Sequence, residues 1–122
     1  MRLAYISLIL FLQSTFACSE VLSDPKEIES EASHYRMLAI ECITDKKITK
    51  KEILEIESCK AFNGFVKYKY PSLKASLENA QQQVKATANA EGLTSENVRK
   101  ILILLMSARS HMQIAGEISN KI

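Results

Sequence analysis

The sequence predicts an all-α protein, a compact bundle of about four helices that follows a cleaved signal peptide. Apolar residues recur at steps of three and four in four successive segments, which is the period of a helix with one buried face. Polar turns, a glycine or a proline separate these segments, and typical helix starts precede most of them. The predicted helices span roughly residues 25–43, 49–63 or 49–70, 71–90 and 95–119.

The first helix is predicted from its start and its apolar face. Asp24 can cap the N-terminus, and Pro25 suits the first helical position, where its missing N–H would have no partner. A polar turn at 44–47 is expected to end the helix near residue 43. The predicted buried face consists of Ile28, Ala32, Tyr35, Ala39 and Cys42.

The second helix is predicted to begin at a capping box formed by Thr49 and Glu52. Gly64 can end it, because glycine readily adopts the left-handed backbone found at many helix C-termini. Alternatively the helix continues through Gly64, at a cost of about 1 kcal/mol. It then ends before Pro71, since the residue before a proline avoids the helical conformation. Both lengths remain open.

Two longer helices complete the predicted bundle. The third begins at Pro71, includes three consecutive glutamines, and is expected on the outside. The fourth follows Gly92, with Thr94 or Ser95 as its cap. Its centre, residues 101–106, is apolar on all sides, so this helix is expected to be the most buried element.

A secretory signal peptide accounts for residues 1–19. Arg2 precedes an apolar stretch of about ten residues, and small residues stand at Ala17 and Ser19, as at a signal-peptidase site. Cleavage is expected after Ala17 or after Ser19, which leaves residues 20–122 as a single helical domain. No transmembrane span is expected, because this stretch is too short for a bilayer core of roughly 30 Å. The protein is therefore predicted to be secreted.

Cysteine pairing follows from this compartment. An oxidising environment favours paired thiols, so Cys42 and Cys59 are the disulfide candidates. A simple helical hairpin turning near residue 46 would place them roughly 12 Å apart along the helix axis, whereas a disulfide needs α-carbons within about 7 Å. The alternatives are a bridge from Cys18 to one of them, or unpaired or intermolecular cysteine. A less favoured interpretation takes the Thr-Phe-Ala-Cys sequence ending at Cys18 as the lipobox of a periplasmic lipoprotein.

Composition and motifs argue against an enzyme. Residues 20–122 carry 15 lysines and arginines against 14 acids, which excludes nucleic-acid binding by bulk charge. His34 and His111 lack a cysteine or carboxylate at metal-ligand spacing, and three glycines cannot build a phosphate loop. We expect no catalytic residues, no cofactor and no metal.

The charges of the domain are divided between two regions. Residues 20–41 hold six acids against two bases, whereas residues 44–74 hold eight lysines against four acids. Aromatic residues interleave with lysines in the basic region, and the division could also help the bundle close. One interpretation is an interaction surface; the other is that the aromatics fill the core while the lysines stay in water. The candidate surface residues are Phe62, Phe65, Lys67, Tyr68, Lys69 and Tyr70.

These observations favour a small non-catalytic protein that binds a macromolecule outside the cell, as an effector, reproductive-fluid, venom or immune-facing factor. Its expected partner is an extracellular protein or an anionic surface. The alternative is an extracellular carrier of apolar small molecules or lipids, suggested by Met37, Met106 and Met112 together with the leucine-rich last helix.

One segment slightly resembles a known family. The secretory leader, the helical remainder and the run from Thr44 to Glu52 are similar to the SXP/RAL family of small secreted nematode proteins, which carry a Leu-Thr helix start. The resemblance covers about a dozen residues and implies a secreted helical protein. The chain has no tryptophan, although the family carries one after this motif, so no functional residue is carried over.

Overall fold

The computed structural model describes residues 21–122, which form four α-helices and no strand. The predicted signal peptide, its cleavage sites and the lipobox at Cys18 lie outside the described residues. The all-α bundle is confirmed. Its elements are α1 (Pro25–Thr49), a short 3₁₀ helix (Ile53–Glu55), α2 (Glu57–Tyr68), α3 (Tyr70–Glu91) and α4 (Glu96–Ser119).

The start and the buried face of α1 are as predicted. The Lys26 N–H donates to the Asp24 carboxylate at 3.0 Å, and Pro25 occupies the first turn. This cap satisfies one of the N–H groups that a helix start leaves without a partner. The five residues of the predicted face are all buried: Ile28, Ala32, Tyr35, Ala39 and Cys42.

The end of α1 corrects the sequence prediction. Residues 44–47 are helical, and the helix continues to Thr49. These residues include no glycine or proline, and Lys46 and Lys47 lie in the last turn, where positive charge stabilises the negative end of the helix dipole. The helix ends at Lys50, which adopts a left-handed conformation with φ 53°.

The predicted capping box at Thr49 and Glu52 is also wrong. The Thr49 hydroxyl donates back to the Asp45 carbonyl at 2.8 Å, and Glu52 has an extended backbone with no side-chain cap. Because α1 occupies the positions of the predicted start, the second helix begins only after the chain has turned. Its first residue is Glu57, after the buried Ile56.

A single residue separates α2 from α3. The helix passes through Gly64 and ends at Tyr68, close to the longer of the two predicted lengths. Lys69, with φ −109° and ψ −32°, interrupts the helix, and Tyr70 begins the next one. Pro71 in the first turn of α3 explains the break, because proline lacks the N–H that would continue the bonding pattern.

The first and last helices run in the same direction and share the most extensive interface of the bundle. At the contacts between them, residue numbers increase in the same direction along both helices, so the two helices are parallel. A parallel pair needs a long return, and α2 and α3 provide it. The contacts are Glu29 with Ser107, Arg36 with His111, and Lys46 with Ile122.

The centre of α4 corrects a second expectation. Ile103 is 66% exposed and Met106 is 68% exposed, so the helix is not buried all round. Only the side that faces α1 and α3 is covered, because the described residues include no element over the outer side. Its buried residues are Val98, Leu105, Ala108 and Ala115.

Candidate functional site

The disulfide fixes the pairing of α1 with α2. Cys42 and Cys59 are bonded, their α-carbons are 4.5 Å apart, and both are fully buried. The predicted bridge is therefore confirmed, and neither cysteine is free to pair with Cys18. The geometric objection from the sequence disappears because α1 extends to Thr49, so the chain turns later and Cys59 returns level with Cys42.

A stack of aromatic rings lies next to the disulfide. The Tyr35 ring of α1 lies parallel to Phe65 at 5.1 Å and to Phe62 at 5.8 Å between centroids. Tyr70 packs against Tyr35 at 5.4 Å, and His34 meets Phe65 edge-on at 5.9 Å. Burial, with a smaller contribution from the nearby Tyr70, raises the pKa of the Tyr35 hydroxyl. Two residues of the predicted surface, Phe62 and Phe65, are thus part of the core and not of a surface.

The remaining candidates form an exposed patch where α2 meets α3. We call Lys67, Tyr68 and Lys69 the junction surface. Tyr68 is 68% exposed, both lysines are exposed, and the Lys67 ammonium lies 5.3 Å from the centre of the Tyr68 ring, within cation–π range. Tyr70, the next residue along the chain, is half-buried against Tyr35 and joins the junction surface to the core.

The acidic first helix does not neutralise the junction surface. Within residues 21–122, the ion pairs are Lys60 with Glu57 and Lys100 with Glu96, and His111 forms a hydrogen bond with Glu29. None of them joins the first helix to Lys67 or Lys69. The division of charge seen in the sequence therefore does not close the bundle through ion pairs, and these two ammonium groups remain open to water.

A polar cluster that the sequence analysis missed lies across α1 and α4. The His111 Nε2 is 3.2 Å from the Glu29 carboxylate, the Ser107 hydroxyl donates to the same oxygen at 3.1 Å, and an Arg36 nitrogen is 3.4 Å from His111 Nδ1. The guanidinium can only donate, so Nδ1 accepts and Nε2 carries the proton. Its traces in the sequence are the spacing of Ser107 and His111, one helical turn apart, and that of Glu29 and Arg36, two turns apart.

This cluster does not have the geometry of a catalytic triad. In a triad, the histidine Nε2 accepts the serine proton and Nδ1 donates to the carboxylate. Here the Glu29 carboxylate lies at Nε2, and Arg36 occupies Nδ1. The cluster links the two parallel helices through partly buried hydrogen bonds. No group of three or more metal-ligating side chains occurs in the part of the chain that the structure describes.

Of the three methionines cited for a carrier function, two lie on the surface. Met37 and Met106 are 53% and 68% exposed, and only Met112 packs against the core. A pocket of about 150 Å³ lies between residues 21–23 and α3. Pockets for small ligands typically have roughly 300–1,000 Å³, so this one is too small for a lipid.

The chain matches no protein-family model, no curated protein and no solved structure. The slight resemblance to the nematode SXP/RAL family therefore gains no support. Among residues 21–122, no helix combines the length and the apolar character that crossing a membrane requires.

Proposed function

We propose that the protein is a secreted, non-catalytic binding protein that docks on an extracellular macromolecule through the junction surface. The exposure of Tyr68 between Lys67 and Lys69 is the observation that carries this proposal. Tyrosine is enriched at protein interfaces and at their energetic hot spots. The disulfide between Cys42 and Cys59 supports an oxidising compartment.

The chemistry of the junction surface favours a partner with negative charge. Two exposed lysines stand beside the tyrosine, and neither forms an ion pair with a carboxylate of residues 21–122. An acidic patch on a partner would meet both charges while the Tyr68 ring supplies apolar contact area. Charge complementarity of this kind speeds association and selects among partners.

The core beneath the junction surface favours a preorganised site. Phe62 and Phe65 are buried directly before it in α2, and Tyr70 follows it on α3, all three stacked on or against Tyr35. The backbone that carries Tyr68 is therefore held on both sides of the break. Less conformational entropy is lost on binding when the site is already ordered.

A matched pair of variants tests the proposal. Immobilised wild-type protein, Tyr68→Ala and Leu93→Ala are each exposed to extracellular fluid from the tissue that expresses the protein. Leu93 is the control because it is 72% exposed but lies at the α3–α4 turn. We expect to recover a partner whose binding weakens as salt is added. This partner should bind the wild type and Leu93→Ala equally. It should bind Tyr68→Ala about 30-fold more weakly, which corresponds to a hot spot of about 2 kcal/mol. Equal binding by all three proteins would contradict the proposal.

A further inference from the structure

The end of the bundle where α1 turns into α2 presents an unusual combination of side chains. Residues 46–55, here called the tip, include four lysines and the two most exposed large apolar side chains in the described part of the chain. Ile48 is 73% exposed and Leu54 is 75% exposed. The segment belongs to the basic region 44–74, and its apolar residues were expected to lie on a helix.

The tip is firmly attached to the bundle. The disulfide between Cys42 and Cys59 closes its base, and the Ser58 hydroxyl donates to the Asp45 carboxylate at 2.6 Å on the same side. Ile53 packs against the core from within the 3₁₀ helix. Since Ile53 packs inward, its neighbour Leu54 is left on the outer side, where it is 75% exposed.

Three exposed lysines of the tip accompany these two apolar side chains in the sequence. Lys47, Lys50 and Lys51 are exposed, and none of them forms an ion pair within residues 21–122. The tip also carries two glutamates, so its net charge is positive but moderate. Lysines beside exposed aliphatic side chains are typical of segments that bind at the surface of an anionic bilayer.

We propose that the tip binds anionic lipid membranes, with Ile48 and Leu54 entering the headgroup region and Lys47, Lys50 and Lys51 attracting the lipid phosphates and carboxylates. Charge complementarity favours an anionic bilayer, and the outward projection of two aliphatic side chains favours a soft apolar phase over a rigid protein surface. The tip has no tryptophan, tyrosine or arginine, the residues that dominate protein–protein hot spots. This site is separate from the junction surface and does not depend on the docking role proposed for that surface.

Vesicle cosedimentation tests the proposal directly. The disulfide-bonded protein recovered from culture medium is mixed with phosphatidylcholine vesicles that do or do not contain phosphatidylserine. We expect binding to the anionic vesicles only, weakened by added salt. Replacing Ile48 and Leu54 together with serine is expected to lower the partition coefficient at least about tenfold. The pair Lys50→Gln and Lys51→Gln is expected to lower it about fivefold for each charge removed.

Leu93→Ser is the matched control, because Leu93 is about as exposed as Ile48 and Leu54 but lies far from the tip. It is in the α3–α4 turn at the start of α4, whereas the tip lies near the other end of α4, where Lys46 contacts Ile122. Its binding is expected to equal that of the wild type. Failure of the wild type to bind anionic vesicles would overturn the proposal, as would equal binding by the tip variants. Any binding through residues before Val21, which all variants share, would survive the tip substitutions, so that outcome also counts against the tip. Circular dichroism verifies that each surface variant is folded.

Discussion

Removing the disulfide is expected to cost a large part of the stability of this domain. The bridge closes a loop with a sequence separation of 17. The chain-entropy relation gives about 3 kcal/mol for a loop of this length at 25 °C. Cys42 and Cys59 are both fully buried, so replacing them with alanine also removes two packed sulfur atoms, which adds about 1 kcal/mol. The double variant is therefore expected to lose about 4 kcal/mol of the 5–15 kcal/mol typical of small proteins.

Urea unfolding followed by far-ultraviolet circular dichroism measures this loss. Wild type is compared with Cys42→Ala, Cys59→Ala and the double variant, the single variants being kept in reducing agent. Each single substitution already breaks the bridge. The free energy of unfolding of each single variant is therefore expected to lie within about 1 kcal/mol of that of the double variant, because about 1 kcal/mol is assigned to the packing of the sulfur atoms. A loss of stability below about 1 kcal/mol in the double variant would refute the reasoning. It would mean that residues 43–58 are already restrained in the unfolded chain when the bridge is absent. Losses that simply add between the single variants would refute it as well.

Two further predictions concern ionisation and backbone conformation. The raised pKa of Tyr35 means that its contribution to stability is complete below the unfolded value of about 10 and is lost as pH rises through the folded pKa. Urea midpoints should therefore fall at alkaline pH less steeply in Tyr35→Phe than in the wild type, and equal slopes would contradict this assignment. Gly64 lies within α2 with open space around an added Cβ, so Gly64→Ala should stabilise the protein by about 0.5–1 kcal/mol. Gly92 has φ +91°, so Gly92→Ala should destabilise it by about 1–3 kcal/mol, and thermal melts showing the same sign for both would contradict the distinction.

The sequence predicted the elements of the fold better than the connection between the first two helices. The face of α1 from Ile28 to Cys42 has a strong helical period, and Asp24 is a clear cap, so both were predictable. The end of α1 was not, because a polar sequence that fits a turn also fits an exposed helical end. Lys50, whose left-handed backbone ends the helix, is a residue type that rarely marks such a stop.

The candidate site was only partly predictable for a related reason. The interleaved aromatics and lysines of residues 62–70 identify the region. They do not show which of these side chains are buried, because that depends on the side of the helix on which each residue lies. Phe62 and Phe65, one turn apart, point to Tyr35, whereas Tyr68, the last residue of α2 before the break at Lys69, points outward. The exposure of Ile103 is a tertiary effect, since it depends on how many helices surround α4.

The parallel arrangement of α1 and α4 has a consequence for how the chain reaches its native state. Arg36 and His111 are 75 residues apart, and the other contacts between these helices have similar separations. Contacts between distant parts of a chain form slowly, because the long intervening segment loses entropy before they stabilise anything. During synthesis, the apolar face of α1 therefore stays without its main partner until α4 has left the ribosome. The helical hairpin of α1 and α2, joined by the disulfide, can form before then, and α3 can add to it.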